Sequence, residues 1–407
     1  MKKTYLGLTA TLATALAAEA QFNSGSTGSY GPLNILSNTT LSLPSDGILN
    51  CTTITVASGA TLRFARNTNN TPVYLLATGD VSIAGSVDVS GSNAPSGVPY
   101  QGGSGGPGGF DGGFPGYGSV PPGDGFGPGG GKGGSDILSQ GTTYANAGAG
   151  SYYAAAIGGY YDPSCGYVGY FSTNKGPAYG SALLVPIVGG SGGGGTTGSP
   201  GFGGGGGGGA VLVASSTRID VSGSIRADGG EGQFSNGHCG YHTNPGSGGA
   251  IRLVAPVVSG VGTLSANGPS GPYQPNNYGR VRVDSIDHRY HSFTISAGLA
   301  YGNYMTVFPS SRLDLVSVAG TAIAQGSGPV SIVLTNGASP NQSVLVQASN
   351  FNTNHLALTV VLTPQNGSST AYQTNLDNTG NNPATVAVPI TLPLNTPVTV
   401  SAWTKVP

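Results

Sequence analysis

The sequence predicts an all-β chain: a parallel β-solenoid with a large Gly-rich insertion, followed by an immunoglobulin-like β-sandwich. Three observations predict it. A motif of about twenty residues recurs three times, with strand-like alternation and glycine corners at matching offsets. A long tract between the first two copies is dominated by glycine. The last hundred or so residues lose that glycine and become a run of short alternating strands separated by turn signals.

The N-terminus reads as a targeting segment. Lys2 and Lys3 precede a mostly apolar stretch from Tyr5 to Ala18, and Ala18-Glu19-Ala20 forms an A-x-A site. That is the pattern of a Sec-type signal peptide over residues 1–20, with Ala18 and Ala20 marking the cleavage and Gln21 opening the mature chain. The stretch is shorter than the roughly 20 apolar residues of a membrane span. No transmembrane segment is expected in the mature chain. Composition fits an exported protein: 7% of residues are charged and the net charge is −1, against about 25% charged in an ordinary domain. No basic stripe exists to neutralise phosphates, which excludes nucleic acid as a partner class.

Residues 21–295 are expected to form the solenoid. Residues 21–50 are Ser/Thr/Asn-rich and read as an entry segment, and alternation sharpens from Cys51 onward. The first full copy is VYLLATGDVSIAGSVDVSG, from Val73 to Gly91. AVLVASSTRIDVSGSIRADG, Ala210 to Gly229, and AIRLVAPVVSGVGTLSANG, Ala250 to Gly268, follow. Val81 and Ile83 align with Ile219 and Val221, Gly85-Ser86-Val87 with Gly223-Ser224-Ile225, and Asp88 with Arg226. A unit of this length cannot bury its own apolar face, so copies must stack and their Val, Ile and Leu form ladders. GRVRVDSI, within Tyr278 to Ile286, adds one more strand.

The insertion spans residues 92–209. Its tyrosines argue against a plain flexible linker, and ALLVPIV, Ala182 to Val188, adds an apolar stretch. Partial order against the solenoid is expected, in a layer of extended, polyproline-II-like segments packed closely because glycine has no side chain to hold them apart. Tyr152, Tyr153, Tyr160 and Tyr161 are candidate glycan or surface contacts. Residues 300–407 form the sandwich, with strands expected at RLDLVSV, VSIVLTN, SVLVQASNF, LALTVVLTP, TVAVPITL and TPVTVSAW, and the single Trp403 in its core.

Candidate chemistry is sparse. Cys165 and Cys239 lie in loop-like sequence and are a candidate disulfide, with Cys51 left as a small buried apolar residue. His238 and His242 flank Cys239 at a spacing that can hold zinc or copper if the thiol is free. Surface loop histidines are the favoured alternative, and His288 and His291 follow later. GGSGG at Gly102–Gly106 and Gly189–Gly193 fits G-x-S-x-G but lacks the strand–turn–helix setting of a nucleophile. The mature chain has one glutamate, Glu231, and thirteen aspartates, none consecutive. No catalytic residue and no cofactor is assigned.

In order and spacing, PVYLLATGDVSIAGSVDVSG, GGPGGFDGG, YGSALLVPIVGGSGGGG, GGGGGGGAVLVASSTRIDVSGSIRADGG and GSGGAIRLVAPVVSGVGTLSANG resemble an uncharacterised group of exported, glycine-rich bacterial surface proteins, over residues of about 30–285. The resemblance implies an exported β-solenoid-like module and lends no catalytic residues. The expected function is structural: a secreted or cell-surface protein that adheres to, or builds, an extracellular matrix, fibre or surface attachment. Its expected partners are other copies of itself or extracellular polysaccharide. Two alternatives stand beside it. One is a polysaccharide lyase or hydrolase, a reading that gains if Arg226, Asp228 and Arg252 gather in a groove. The other is glycan binding without turnover.

Overall fold

The computed structural model describes residues 22–95, 101–116, 120–135, 147, 149–153, 160–162, 167–169, 174–197, 201–232, 244–269, 277–325, 327, 330–364 and 369–404. The described chain is all-β. Among the described residues no helix is long and apolar enough to cross a membrane.

Two parallel sheets carry the repeated motif. A curled ten-stranded sheet gathers the first and second strands of each copy, and a six-stranded sheet gathers the third. The sequence alignment of the copies is also their hydrogen-bonding register. Ile219 lies beside Val81, Ile225 beside Val87, and Arg226 beside Asp88. Leu264 follows in the same row. Each copy is therefore one tier, stacked on the next at about 4.8 Å. The segment expected only as an entry is itself a tier. Gly31–Ile35 pairs with Ile48–Val56, and Thr39–Ser42 with Thr61–Ala65. Arg280–Asp284 and Gly298–Gly302 extend the stack at the far end.

Inward rows make the core. Leu62, Val87, Ile225 and Leu264 form one ladder, and Leu75, Val213, Leu253 and Val283 another, all buried in a single cluster. The first strands of the tiers are buried on both faces, as in Val73–Ala77 and Ala210–Ser215. That is why they read as continuous apolar runs rather than alternating ones. Their outer face is covered by Tyr152, Tyr179, Leu184 and Ile187 of the insertion and by Met305 and Val307.

The glycine run 203–209 lies at the centre of a lattice of extended segments. Gly204 and Gly207 donate their N–H groups to Gly113 and Phe110, Gly205 and Gly208 to Asn244 and Ser247, and Gly206 and Gly209 to Ser92 and Val89. The carbonyls rotate in the same way. Gly204 and Gly207 accept from Gly103 and Gly106, Gly205 and Gly208 from Gly193 and Gly190, and Gly206 from Gly230. All of these bonds leave the segment, and they repeat every three residues. This is the periodicity of a polyproline II helix. One chain is thus wired to six neighbouring segments. The spacing leaves no room for side chains: a Cβ at Gly204, Gly205 or Gly208 would sit 2.0 Å from a neighbouring carbonyl oxygen. Glycine is costly to order, and here each ordered residue brings both of its backbone groups into hydrogen bonds.

The C-terminal residues form two antiparallel sheets, of four strands and three. They share one buried cluster that includes Val344, Val346, Leu358, Val360 and Leu376. Two expectations are corrected. VSIVLTN is irregular, with Val333 exposed, while Thr370–Asp377 is a strand beside His355–Pro364. Trp403 lies outside the core cluster. Its half-buried ring meets Phe110 of the glycine layer edge-on, with centroids 6.4 Å apart.

Candidate functional site

The residues singled out from sequence scatter. Ala18, Ala20, Cys165, Cys239, His238 and His242 lie outside the described residues. Tyr160 and Tyr161 lie in the strand Tyr160–Asp162, paired with Tyr167–Gly169, and their side chains are outside the described set. Tyr152 is no surface contact. Its ring is buried edge-on against Tyr179, at 4.6 Å, and its hydroxyl donates to the Val188 carbonyl at 2.9 Å. Burial holds both phenols above their ordinary range. Tyr153 is about half exposed and lies beneath the Arg280 guanidinium, 4.6 Å from its ring centre. Cys51 is a free, buried thiol, pushed up to about 11 by burial.

Arg226, Asp228 and Arg252 do not share a groove. Arg226 pairs with Asp228 at the surface, and Asp228 also accepts from Ser265 and the Asn267 N–H. Arg252 is 1% exposed, on the far side of the curled sheet's strand, bound to the wholly buried Asp284 at 3.0 Å. Arg282 grips Asp284 at both oxygens, its Nε at 2.9 Å on the oxygen that Arg252 binds and its terminal nitrogen at 2.7 Å on the other oxygen. The Tyr304 N–H donates to that same oxygen. Two guanidiniums on one carboxylate form a clamp. It fixes the segment after Gly298–Gly302 onto the sheet.

At the last tier, His288 and His291 face each other at 3.3 Å. The Gly302 carbonyl only accepts, so with both rings neutral His288 carries its proton on Nε2 and its Nδ1 accepts from His291. His291 stacks between Phe293 and Tyr301. Burial, and secondarily His288, lower its pKa below the ordinary value.

Among the described residues, one concavity lies across the second strands of three tiers. It is a groove of about 370 Å³ lined by Asp80, Thr217, Arg218, Val257, Ser259 and Tyr290. Register places it: Val81 lies beside Ile219, Arg218 beside Val257, and Val257 bridges to Asp287 on the next tier. Thr217 donates to Asp80 at 2.6 Å. Arg218 donates to Ser259 at 3.2 Å, and Ser259 donates to Asp220 at 2.7 Å. Tyr290 closes one end with more than half of its surface exposed. Comparisons with family models, with curated proteins and with solved structures return no match. The groove is therefore read from its own chemistry.

Sequence reasoning missed these residues for a physical reason. Asp80 and Arg218 sit just after corners, where a polar residue is unremarked, and their neighbourhood exists only once tiers 138 residues apart are stacked. Tyr290 offered one signal: it is an aromatic in DHRYH, outside any alternating run.

Proposed function

We propose that this is a structural and adhesive protein of the cell exterior, in which the stacked tiers are a β-solenoid and the C-terminal sheets an immunoglobulin-like sandwich. The resemblance to exported glycine-rich surface proteins belongs to the same reading. The observation that carries it is the glycine lattice. A segment wired to six neighbours is stiff and chemically inert, and it ties together tiers that are distant in sequence. Such a lattice suits a protein whose work is to hold a shape and present surfaces.

The carboxylates support the same reading. Every aspartate whose side chain is described accepts a hydrogen bond from a neighbouring group. Strand edges at the far end of the stack carry exposed Leu299 and Tyr301, and unpaired edges invite pairing with a further copy. Electron microscopy of the purified mature protein, together with a surface-retention assay, tests the proposal. Fibres, end-to-end oligomers or retention on a surface are expected. Monodisperse monomers that wash off every surface would contradict it.

A further inference from the structure

We propose that the groove of Asp80, Arg218, Ser259 and Tyr290 binds a neutral polysaccharide, with Tyr290 as its stacking platform. The inference rests on the adhesive reading and deepens it by naming the partner and the place of contact. It also moves that contact away from the buried Tyr152.

The length of the groove fits a chain ligand. Asp80, Arg218 and Val257 stand level on three successive tiers, so the floor is about 10 Å long at the usual strand spacing. Tyr290 follows on the next tier and extends it in the same direction. A groove along the stacking axis, open at the surface, admits an extended polymer rather than a compact molecule.

The chemistry of the lining selects the class. One carboxylate and one guanidinium face the groove with hydroxyls between them. Their charges offset each other, so a strongly anionic or cationic ligand gains from one and loses to the other. A carboxylate offers about four acceptor sites and a guanidinium five donors. Asp80 uses one site for Thr217, and Arg218 gives one hydrogen to Ser259. The remaining capacity matches a ligand that both donates and accepts, which is what a sugar hydroxyl does. A pyranose ring also has an apolar C–H face, and an aromatic ring with a wet rim is its natural partner.

The backbone that carries the platform is fixed. The Tyr290 carbonyl accepts from the Gly260 N–H at 3.1 Å. Arg289 lies 5.9 Å from the ring centre and is itself tied to Asp287. The backbone there needs no reordering on binding. A peptide adding as a further strand is disfavoured at this place. The edge of Val257–Ser259 is already met by the bridges Val257 to Asp287 and Gly260 to His291.

Retention of the full chain on cellulose, chitin, xylan and a β-1,3-glucan tests this, using wild type, Tyr290→Ala and Tyr30→Ala. Tyr30 is an exposed tyrosine at the opposite end of the stack. Wild type should be retained on at least one polymer. Tyr290→Ala should weaken that retention about tenfold, the scale of one lost aromatic contact, with its unfolding midpoint unchanged. Tyr30→Ala should behave as wild type. Retention on none of the four, or retention that Tyr290→Ala leaves intact, overturns the inference. Self-assembly seen by microscopy would survive either result, so the groove can fail while the structural reading stands.

Discussion

Gly205 shows how a single residue is constrained here. A methyl at this position would lie 2.0 Å from the Gly230 carbonyl oxygen, so Gly205→Ala must push two segments apart. It should cost about 2 kcal/mol or more. Gly59→Ala is the control: its φ is +80° and a Cβ there meets nothing within 4 Å, so only backbone strain of about 1 kcal/mol is expected. Denaturant midpoints of the two variants check the difference. The buried clamp is just as exacting. Asp284→Asn leaves Arg252 and Arg282 without their charge partner, and removing one member of such a group costs about 3–5 kcal/mol. His291 supplies the pH dependence. Its folded pKa is depressed, so the unfolded chain binds the proton more readily. Its contribution to stability is whole above the unfolded value of about 6.5 and is lost as pH falls from there toward the folded value. Melting temperature should therefore decline on acidification through this window, and His291→Phe, keeping the stack on Phe293 and Tyr301, should flatten the decline. Such residues are poorly legible in sequence. Nothing about Arg252 or Tyr152 announces burial, because what covers them arrives from a distant segment.

At the scale of elements, register is the checkable quantity. Ser86 and Ser224 are neighbours across parallel strands, with hydroxyl oxygens 3.0 Å apart. Replacing both with Cys should give an intramolecular disulfide, since adjacent strands bring Cα atoms within the bridging range. Mass mapping of the oxidised protein would show it, and a bond to any other cysteine would mean a different stacking. The three full tiers were legible because glycine corners and β-branched alternation mark the same offsets in each. The tier at Gly31–Ile35 was not, because it lacks those corners. VSIVLTN carries an apolar, β-branched run yet forms no strand among the described residues, so strand-like composition alone does not make a strand. Thr370–Asp377 shows the converse: only Leu376 is buried in it, and the strand is held by its ladder with His355–Pro364.

At the scale of the molecule, the insertion and the C-terminal sheets meet through Phe110 and Trp403. Trp403 is the only tryptophan of the chain, so its emission reports that contact. Phe110→Ala should shift the emission to the red without unfolding the C-terminal core, which does not include Phe110. That tyrosines of the insertion pack against the tiers, as Tyr152 and Tyr179 do, was legible from their number. The six-fold wiring of the run 203–209 was not, because identical glycines carry no pattern to say which neighbour each one meets. Hydrogen exchange of the glycine amides reports on that lattice residue by residue. With ¹⁵N-glycine labelling, the amides of Gly204 to Gly209 should exchange as slowly as those of the buried strand Ala210–Ser215, opening only with global unfolding. Exchange of these amides at the rate of a free peptide, while Ala210–Ser215 stays protected, would contradict it.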